Sequence, residues 1–384
     1  MGDQATIRVV RTIEEVEDLR EVWISWQWNA DADIDFYLTK LRSRKECLRP
    51  HIIVLYRGGR PKLMLIGRLD NGGVELKIGY WRLRSPRARV LAFIYGGVLG
   101  DQSPENCEIL MRAILACLRQ GEADFALLNK VNVDSPLYSL ALQLPGFFCR
   151  DPFRDRLLHC SFKLPSNTEE VYRGLSAQHR AQIRKVVRKL LAAYPGRIRV
   201  GRFEQPSDIE PMIRDVEQIA KKTYQRGLGV RFVDSPEMHR LLAMTTGKGW
   251  LRAYVLYLAE NPSAFCIGTL FKGVFRNDYM GYDPAHENSA PGTFLLTRVL
   301  EDLCATGVRE IDFGYGIEQY KQQFGNCTWY EAIVHIFAPT CKGFSLNVLR
   351  TFVAGTDYFF RKALKRTNLL PRLKRAWRLH VRHG

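Results

Sequence analysis

Two stretches of the sequence resemble each other closely enough to predict that the chain contains a duplicated unit. The segments VLYRGGRPKLMLIGRL (54–69) and VLYLAENPSAFCIGTL (255–270) agree at seven of sixteen positions without a gap. Downstream of each, LMRAILACLRQGEADF and LTRVLEDLCATGVREIDF correspond in the same order, with a two-residue insertion. A chance likeness between two strand–turn–strand segments is the alternative, but matching order as well as matching letters favours duplication.

Apolar periodicity predicts the same alternation of helices and strands in both halves. The chain has 384 residues, which is long for one compact domain, and glycine or proline separates short strands from amphipathic helices. This pattern predicts an α/β (α+β) fold, in which each copy is a mixed, mostly antiparallel, twisted sheet flanked by helices. We predict domains at 1–165 and 166–340, followed by a basic amphipathic C-terminal tail at 341–384.

Cysteine and histidine usage argues against a disulfide framework and against a metal site. The nine cysteines form no CxxC pair, and the eight histidines form no HExxH or related motif. We therefore expect buried thiols in a reducing cytoplasm and no metal. No run of eighteen apolar residues occurs, so we expect a cytoplasmic protein without a membrane span.

The positive charge of the chain is concentrated near its end. The formal net charge is +17, and residues 350–384 contain ten lysines and arginines against one acid. Such an excess predicts a polyanionic neighbour. Aromatic and leucine side chains alternate with these basic residues, which favours an anionic membrane surface, at the inner face, over nucleic acid or a solvated tail.

The segment MGYDPAHENSAPGTFLLTRVLEDL (280–303) predicts a strand, a polar loop and an amphipathic helix that begins near Pro291. A helix start exposes unpaired N–H groups at the positive end of the helix dipole, and Gly292 would let a phosphate approach the backbone. The alternative is an ordinary helix capped by Ser289 or Thr293.

The segment IDFGYGIEQYKQQFG (311–325) interrupts an apolar strand with two glycines and then presents a tyrosine, a lysine and a phenylalanine. Together with LSAQHRAQIRKVVRKL, KKTYQRG and SAPG, in that order, it resembles the GNAT acyltransferase superfamily. The resemblance is to the branch of CelD-type cellulose-biosynthesis acetyltransferases, which is related to the FemABX peptidyltransferases, and it covers about residues 170–330.

The resemblance implies a GNAT-like fold in tandem, with a splayed parallel strand pair in the C-terminal copy that admits acetyl-CoA or another acyl-CoA. It also implies that the pyrophosphate lies on the helix start. The residues assigned to this cofactor site are Ser289, Ala290, Pro291, Gly292 and Thr293. The N-terminal copy has no glycine at the corresponding helix start and no YK sequence, so we expect only the second copy to be catalytic.

Acyl transfer needs a base, an oxyanion donor and an acid for the leaving thiolate. Asp312 is the candidate base or amine-orienting group, or else a carboxylate that caps its strand end. Tyr320 either protonates the thiolate or packs. Lys321 either binds phosphate or an acidic substrate, pairs with Asp312, or lies on the surface. The backbone near Tyr282 and Asp283 is assigned to the oxyanion.

Further candidates are secondary. Glu318 and His286 are spare acid–base groups. The expected substrate-binding residues are Arg180, Arg184, Tyr224, Arg226 and Phe324, and the basic helix also carries Lys185, Arg188 and Lys189, which would otherwise form a solvated face.

The resemblance implies an acyl-CoA-dependent N- or O-acyltransferase that acts on a glycan, sugar-nucleotide or lipid-linked acceptor, as in polysaccharide biosynthesis. A FemABX-like transferase that uses aminoacyl-tRNA is the first alternative. A non-catalytic GNAT-like protein that binds membranes or nucleic acid is the second.

Overall fold

A computed structural model of the chain describes residues 4–79, 81–223, 232–316 and 319–366. The strands are β1 (Ala5–Val10), β2 (Cys47–Arg57), β3 (Arg60–Gly72), β4 (Lys77–Ile78), β5 (Trp81–Arg82), β6 (Ala88–Gly100), β7 (Phe125–Asn132), β8 (Asp155–Lys163), β9 (Ile198–Phe203), β10 (Leu251–Leu258), β11 (Asn261–Phe271), β12 (Val274–Tyr282), β13 (Glu310–Tyr315) and β14 (Cys327–Phe337). The helices are α1 (Ile13–Glu17), α2 (Arg20–Trp26), α3 (Ile34–Ser43), α4 (Pro104–Arg119), α5 (Pro136–Gln143), α6 (Thr168–Gly174), α7 (Ala177–Ala193), α8 (Ile209–Ala220), α9 (Pro236–Gly247), α10 (Pro291–Ala305), α11 (Gln319–Phe324) and α12 (Cys341–Arg366).

The chain divides into two compact units with the same sheet topology. The first unit contains residues up to Leu157 and the segment that begins at Tyr330, and the second contains Leu158–Trp329. The sheet of the first has the order β1-β2-β3-β6-β7-β14, and that of the second β9-β10-β11-β12-β13-β8. Each sheet is antiparallel except for one parallel pair, β6–β7 or β12–β13. The predicted fold class, tandem mixed sheets flanked by helices, is confirmed.

The outermost strand next to each parallel pair comes from a distant part of the sequence. β14 follows the second copy along the chain but pairs with β7 of the first unit. β8 precedes the second copy but pairs with β13 of the second unit. The predicted domain borders, by contrast, leave β8 with the first copy and β14 with the second.

The repeated letters form the same hairpin in both units, β2–β3 in the first and β10–β11 in the second. In each hairpin a glycine lies beneath an aromatic ring of the next strand. A Cβ added to Gly67 would come within 2.5 Å of the Phe93 ring, and one added to Gly268 within 2.4 Å of the Phe275 ring. This shared close approach supports the duplication, because both copies need a glycine for the same steric reason.

Helices cover both faces of the second sheet. On one face α6, α7 and α10 share a core with alternate residues of β13, among them Ile311 and Phe313. On the other face α8 and α9 pack on β10 and β11. Because side chains alternate along a strand, Asp312 points away from the face that carries α10.

Helix α12, which lies in the part of the sequence predicted as a tail, is packed on the first unit. Leu346 and Val353 enter a core with residues of β6 and β7. The buried Arg350 guanidinium donates a hydrogen bond of 2.7 Å to Asp151 Oδ2. No helix in the described part of the chain has the length and apolar run needed to span a bilayer.

Candidate active site

The parallel strands of the second unit separate partway along their length. β12 and β13 pair only from Val274 and Glu310 to Arg276 and Asp312. Beyond that point β12 stays with β11 as far as Tyr282, while β13 stays with β8. The result is a gap between two neighbouring strands, which confirms the predicted splayed pair.

Local irregularities explain why the strands part there. The register of β12 shifts at Asp278, which bulges between Asn277 and Tyr279, and that of β13 shifts between Asp312 and Gly314. A bulge turns the strand away from its neighbour. Gly314 has φ 68° and Gly316 has φ 118°, conformations that favour glycine. Gly314 lies at the irregularity of β13, which stays paired with β8 as far as Tyr315, and Gly316 directly follows the end of the strand.

Helix α10 begins beside the end of β12 without a side-chain cap. Ala290 occupies the N-cap position in the left-handed region, at φ 49°, and no side chain of the described residues caps the helix. The alternative of a helix capped by Ser289 or Thr293 is therefore wrong for this structure. The ring of Tyr282 lies over the helix start, since a Cβ on Gly292 would be 3.3 Å from its Cδ1. Pro291 has no N–H, and the Thr293 and Phe294 amides donate to the Ala290 carbonyl. Within the described first turn, the Gly292 amide is therefore the donor that suits a phosphate group.

The basic helix α7 reaches this region at its C-terminal end. Lys189 Nζ donates a hydrogen bond of 2.6 Å to the carbonyl of Asn288, two residues before the α10 N-cap. The Arg184 side chain is exposed one turn away on α7, as are those of Lys185 and Arg188. Arg180 instead donates to the carbonyl of Leu175, at 2.5 Å, and so closes the end of α6.

Asp312 lies at the point of separation and is held by two donors. Its Oδ1 is 2.5 Å from His159 Nε2 on β8 and accepts a hydrogen bond of 2.7 Å from the Gly314 amide. Ser161 is opposite Asp312 in the register, and its hydroxyl is buried without a hydrogen-bond partner in the described part of the chain. Both donors act on Oδ1, and no hydrogen bond to Oδ2 is found among the described residues, so Oδ2 is the oxygen that could accept a proton.

Aromatic rings enclose the histidine. The indole of Trp329 stacks on His159 with a centroid distance of 4.3 Å and an interplanar angle of 13°. Tyr315 contacts the imidazole edge-on at 4.6 Å. His159 is almost completely buried, whereas part of the Asp312 side chain is exposed. A substrate would therefore meet Asp312, and His159 would act through it.

Sequence reasoning missed His159, Ser161 and Trp329. All three belong to the strands that pair at a distance, and neither β8 nor β14 was predicted as a strand. The signal available was the largely apolar segment RLLHCSFKL (156–164), which contains the histidine. The sequence does not show that β8 pairs with β13, and it is this pairing that places His159 beside Asp312.

Three predicted residues lie on or near α11. Tyr320 packs edge-on against Phe313, at 5.7 Å, on the α10 face of the sheet. Lys321 is buried, and its Nζ donates to the carbonyl of Tyr315. Phe324 is buried and packs against His179 at 4.6 Å, so that contact with a substrate would require its ring to leave the core.

The loop between β12 and α10 is fixed by Asp283. Its amide donates to the carbonyl of Ser263, at 2.8 Å, and so is not available to an oxyanion. Its carboxylate accepts from Lys222 Nζ at 2.6 Å and from the Ala285 amide at 3.0 Å. Burial raises the pKa of Asp283, but these donors outweigh it and hold the pKa below its usual value. His286 follows in the same loop, 3.4 Å from the Tyr194 hydroxyl.

Replacing Lys222 by methionine is expected to lower the free energy of unfolding at pH 7 by about 1 kcal/mol, since the ammonium is more than half exposed. The depressed pKa of Asp283 means that the stabilisation is present above about pH 4 and is lost as the pH falls through the folded-state pKa. Urea unfolding at pH 7 and pH 3 measures this. Lys221→Met is the matched control, because both lysines are 59% exposed. An equal loss at both pH values would contradict the electrostatic origin.

Tyr224, Arg226 and Glu318, which were predicted as substrate-binding or acid–base residues, lie outside the described residues.

The corresponding helix start in the first unit is unsuited to a phosphate. The Ser103 amide, at the N-cap of α4, donates to Asp101 Oδ1 at 3.0 Å, and Glu105 lies in the first turn. The counterpart of Asp312 in the repeat, Asp124, accepts from Lys342 Nζ at 2.8 Å. Negative charge at this helix start would repel an anionic ligand.

The comparisons with known proteins concern both the second unit and the whole chain. Residues 177–322 match the family model of the acetyltransferase (GNAT) domain. No curated protein sequence matches the chain. The structure of FemX is similar with a TM-score of 0.55 and 10% identity, over 87% of this chain and 98% of FemX.

Two further solved structures are similar over most of their length. One is the C-terminal domain of a putative lysylphosphatidylglycerol synthetase from Agrobacterium fabrum, with a TM-score of 0.51 and 13% identity, over 89% of this chain and 97% of that chain. The other is a conserved protein of unknown function from Bacteroides thetaiotaomicron, with a TM-score of 0.52 and 12% identity, over 86% and 100%. At such identities the likeness shows the fold alone.

The matched segment lies entirely within the second unit, where the splayed strands and the uncapped helix start are found. The fold of the whole chain agrees with that of FemX. The second unit therefore contains an acetyltransferase (GNAT) domain, so the chain is an acyltransferase, and its fold is shared with FemX.

Proposed function

We propose that the chain transfers an acyl group directly from acyl-CoA, such as acetyl-CoA, to an amine or hydroxyl of an acceptor. The observation that carries this proposal is the combination of the β12–β13 gap with the uncapped start of α10 beside it. The pyrophosphate of CoA would lie at the start of α10, on the Gly292 amide and near Ser289 and Ala290. The pantetheine arm would enter the gap, where backbone groups of β12 beyond Arg276 no longer pair with β13.

The base in this proposal is Asp312. Its Oδ2 would take the proton from the attacking amine or hydroxyl, while His159 and the Gly314 amide hold Oδ1. The nitrogen or oxygen then forms a bond to the thioester carbon, and the carbon–sulfur bond breaks. Tyr320, on the α10 face, would protonate the leaving thiolate. Backbone amides of β12 in the gap, near Tyr282, would stabilise the oxyanion.

The remaining site residues have supporting roles in the proposal. Arg184 and Lys189 would contribute positive charge near the phosphates, and Arg180 would keep α6 in place beside them. Lys321 would fix the turn after β13 through the Tyr315 carbonyl. The acceptor would approach from the face that carries Asp312, next to Trp329. No metal takes part in these steps.

We propose a glycan, sugar-nucleotide or lipid-linked acceptor, as in polysaccharide biosynthesis and at the cytoplasmic face of a membrane. Support for this finer assignment comes from the resemblance to CelD-type acetyltransferases and from the basic C-terminal residues. The acceptor screen uses radiolabelled acetyl-CoA with panels of amino sugars, oligosaccharides and lipid-linked sugars. Direct transfer predicts initial-rate plots that intersect, whereas a covalent acyl-enzyme predicts parallel ones.

A FemABX-like transfer from aminoacyl-tRNA is the second candidate, and the similarity to the FemX fold favours it. The two candidate acyl donors, acetyl-CoA and aminoacyl-tRNA, are distinguished by how much each one stabilises the folded protein when it binds. At a hundred times its Kd, acetyl-CoA should stabilise the protein by about 2.7 kcal/mol. Stabilisation by aminoacyl-tRNA without any response to acetyl-CoA or CoA would overturn the first proposal in favour of the second.

A further inference from the structure

Helix α12 has an apolar stripe on its solvent side. Phe344, Val348, Phe352 and Phe359, here named the aromatic face, recur at spacings that place them on one side of the helix. Phe352 is 73% exposed and Phe359 67% exposed. The opposite side of α12 already packs on the first unit through Leu346 and Val353. The aromatic face is therefore apolar surface that the fold of the first unit does not bury.

The stripe continues onto the turn before β8. Phe148 contacts Phe344 edge-on, with ring centroids 5.7 Å apart, and Phe147 contacts Phe148 at 5.4 Å. Phe147 is 80% exposed. From Phe344 to Phe359 the helix rises about 22 Å, so these side chains form an elongated patch rather than a single exposed ring. Contiguous exposed apolar patches usually mark an interaction surface.

A basic hairpin is attached to the same helix. The Gly79 amide, between β4 and β5, donates a hydrogen bond of 2.6 Å to Asp357 Oδ1 on α12. The hairpin exposes Trp81, at 75% of its surface. Its exposed basic residues are Lys77, Arg82, Arg84 and Arg87. Residues 76–100 contain no aspartate or glutamate.

Positive charge also continues along the chain from α12. Arg361 and Lys362 are exposed on its last described turns, and Asp357 pairs with Arg361. Residues 358–384 contain nine lysines and arginines and no acid. The aromatic face is thus accompanied by basic residues on both the hairpin and the helix end.

We propose that the first unit docks on the surface of an anionic lipid bilayer through the aromatic face of α12. Exposed Phe and Trp side chains would enter the interface between headgroups and acyl chains, and the arginines would contact anionic headgroups. Basic residues near such a surface strengthen the attraction to anionic lipid. A second copy of this chain fits less well, because two basic surfaces would repel each other across a symmetric interface. Nucleic acid accounts for the charge but leaves the apolar stripe exposed.

This docking is independent of the acyl transfer, so it is tested by flotation of the full chain with lipid vesicles. The expected result is binding to phosphatidylcholine vesicles that contain phosphatidylglycerol, and much weaker binding to phosphatidylcholine alone. The double variant Phe352→Ser/Phe359→Ser should reduce the vesicle partition coefficient at least tenfold. Ile24→Ser/Leu48→Ser, which removes two exposed apolar side chains of α2 and β2 in the first unit, should bind as the wild type does.

Thermal unfolding of both double variants checks that the substitutions leave the folded unit intact, which is expected because the replaced side chains are exposed. Unchanged flotation of Phe352→Ser/Phe359→Ser would overturn the proposal. So would a wild-type dimer in sedimentation that fails to bind phosphatidylglycerol vesicles and becomes a monomer in this variant. Tight RNA binding by a chain that does not float with vesicles would also overturn it.

Discussion

Substitution of Asp312 by asparagine is expected to lower the turnover number about a thousandfold, within the range usual for loss of a general base. Asparagine keeps the size of the side chain and can still accept the Gly314 hydrogen bond, but it cannot take a proton at Oδ2. The Kd of acetyl-CoA should change less than threefold, since Asp312 lies on the face of the sheet opposite α10. The measurement is steady-state transfer of labelled acetyl groups to the acceptor found by the screen.

His159→Gln is the companion variant, because His159 is a positioning residue that acts through Asp312. It should reduce kcat about tenfold and change the KM values of both substrates less than threefold, since the carboxylate loses one of two donors on Oδ1 while the binding surfaces remain. Replacement of a purely structural histidine would lower stability and leave kcat of the folded protein unchanged. Full activity of Asp312→Asn would remove Asp312 from the mechanism and leave a bound water as the base.

Replacement of Gly292 by glutamate is expected to weaken binding of acetyl-CoA about a hundredfold. A carboxylate at this position would lie near the proposed pyrophosphate, and like charges about 5 Å apart repel by about 3 kcal/mol at a protein surface. The substitution should not lower the stability of the folded protein, because an acidic side chain near a helix N-terminus stabilises the helix. Calorimetric titration measures the Kd, and circular dichroism confirms the intact helix content.

Gly292→Ala is the matched control for the charge. Its methyl group would lie 3.3 Å from the Tyr282 ring, a tight contact that a small shift of the ring relieves. We therefore expect less than a threefold change in Kd. If glutamate and alanine had the same effect, crowding rather than phosphate repulsion would be responsible. If neither changed the Kd, the nucleotide would bind elsewhere.

The parts of the site that a single sequence segment encodes could be predicted from the sequence. The strand, the loop and the helix start around Gly292 are consecutive in the sequence. Likewise, the glycines at 314 and 316 indicate where β13 ends. Asp312 is also a candidate from the sequence, because it lies at the end of the repeated segment and directly precedes those glycines. In each case the chemistry depends on neighbours along the chain, which local patterns describe well.

The histidine beside Asp312 could not be predicted in this way. His159 is separated from Asp312 by most of the second unit, and their contact depends on β8 pairing with β13. Local propensity does not specify which of several strands will be partners. Long-range packing also explains why α12 was predicted as a tail. Arg350 counts as one of the basic residues of that segment in the sequence, but in the structure it pairs with the buried Asp151, so this part of α12 belongs to the first unit.

Hydrogen–deuterium exchange of the full chain, with and without saturating acetyl-CoA, tests the central claim most directly because it locates the ligand without requiring an acceptor. Bound acetyl-CoA should slow exchange at the start of α10, in residues 290–296, and along the separated part of β12, in residues 277–283. The start of α4 in the first unit should be unaffected. Protection confined to α4, or no protection in residues 277–296 at ligand concentrations that stabilise the protein, would contradict it.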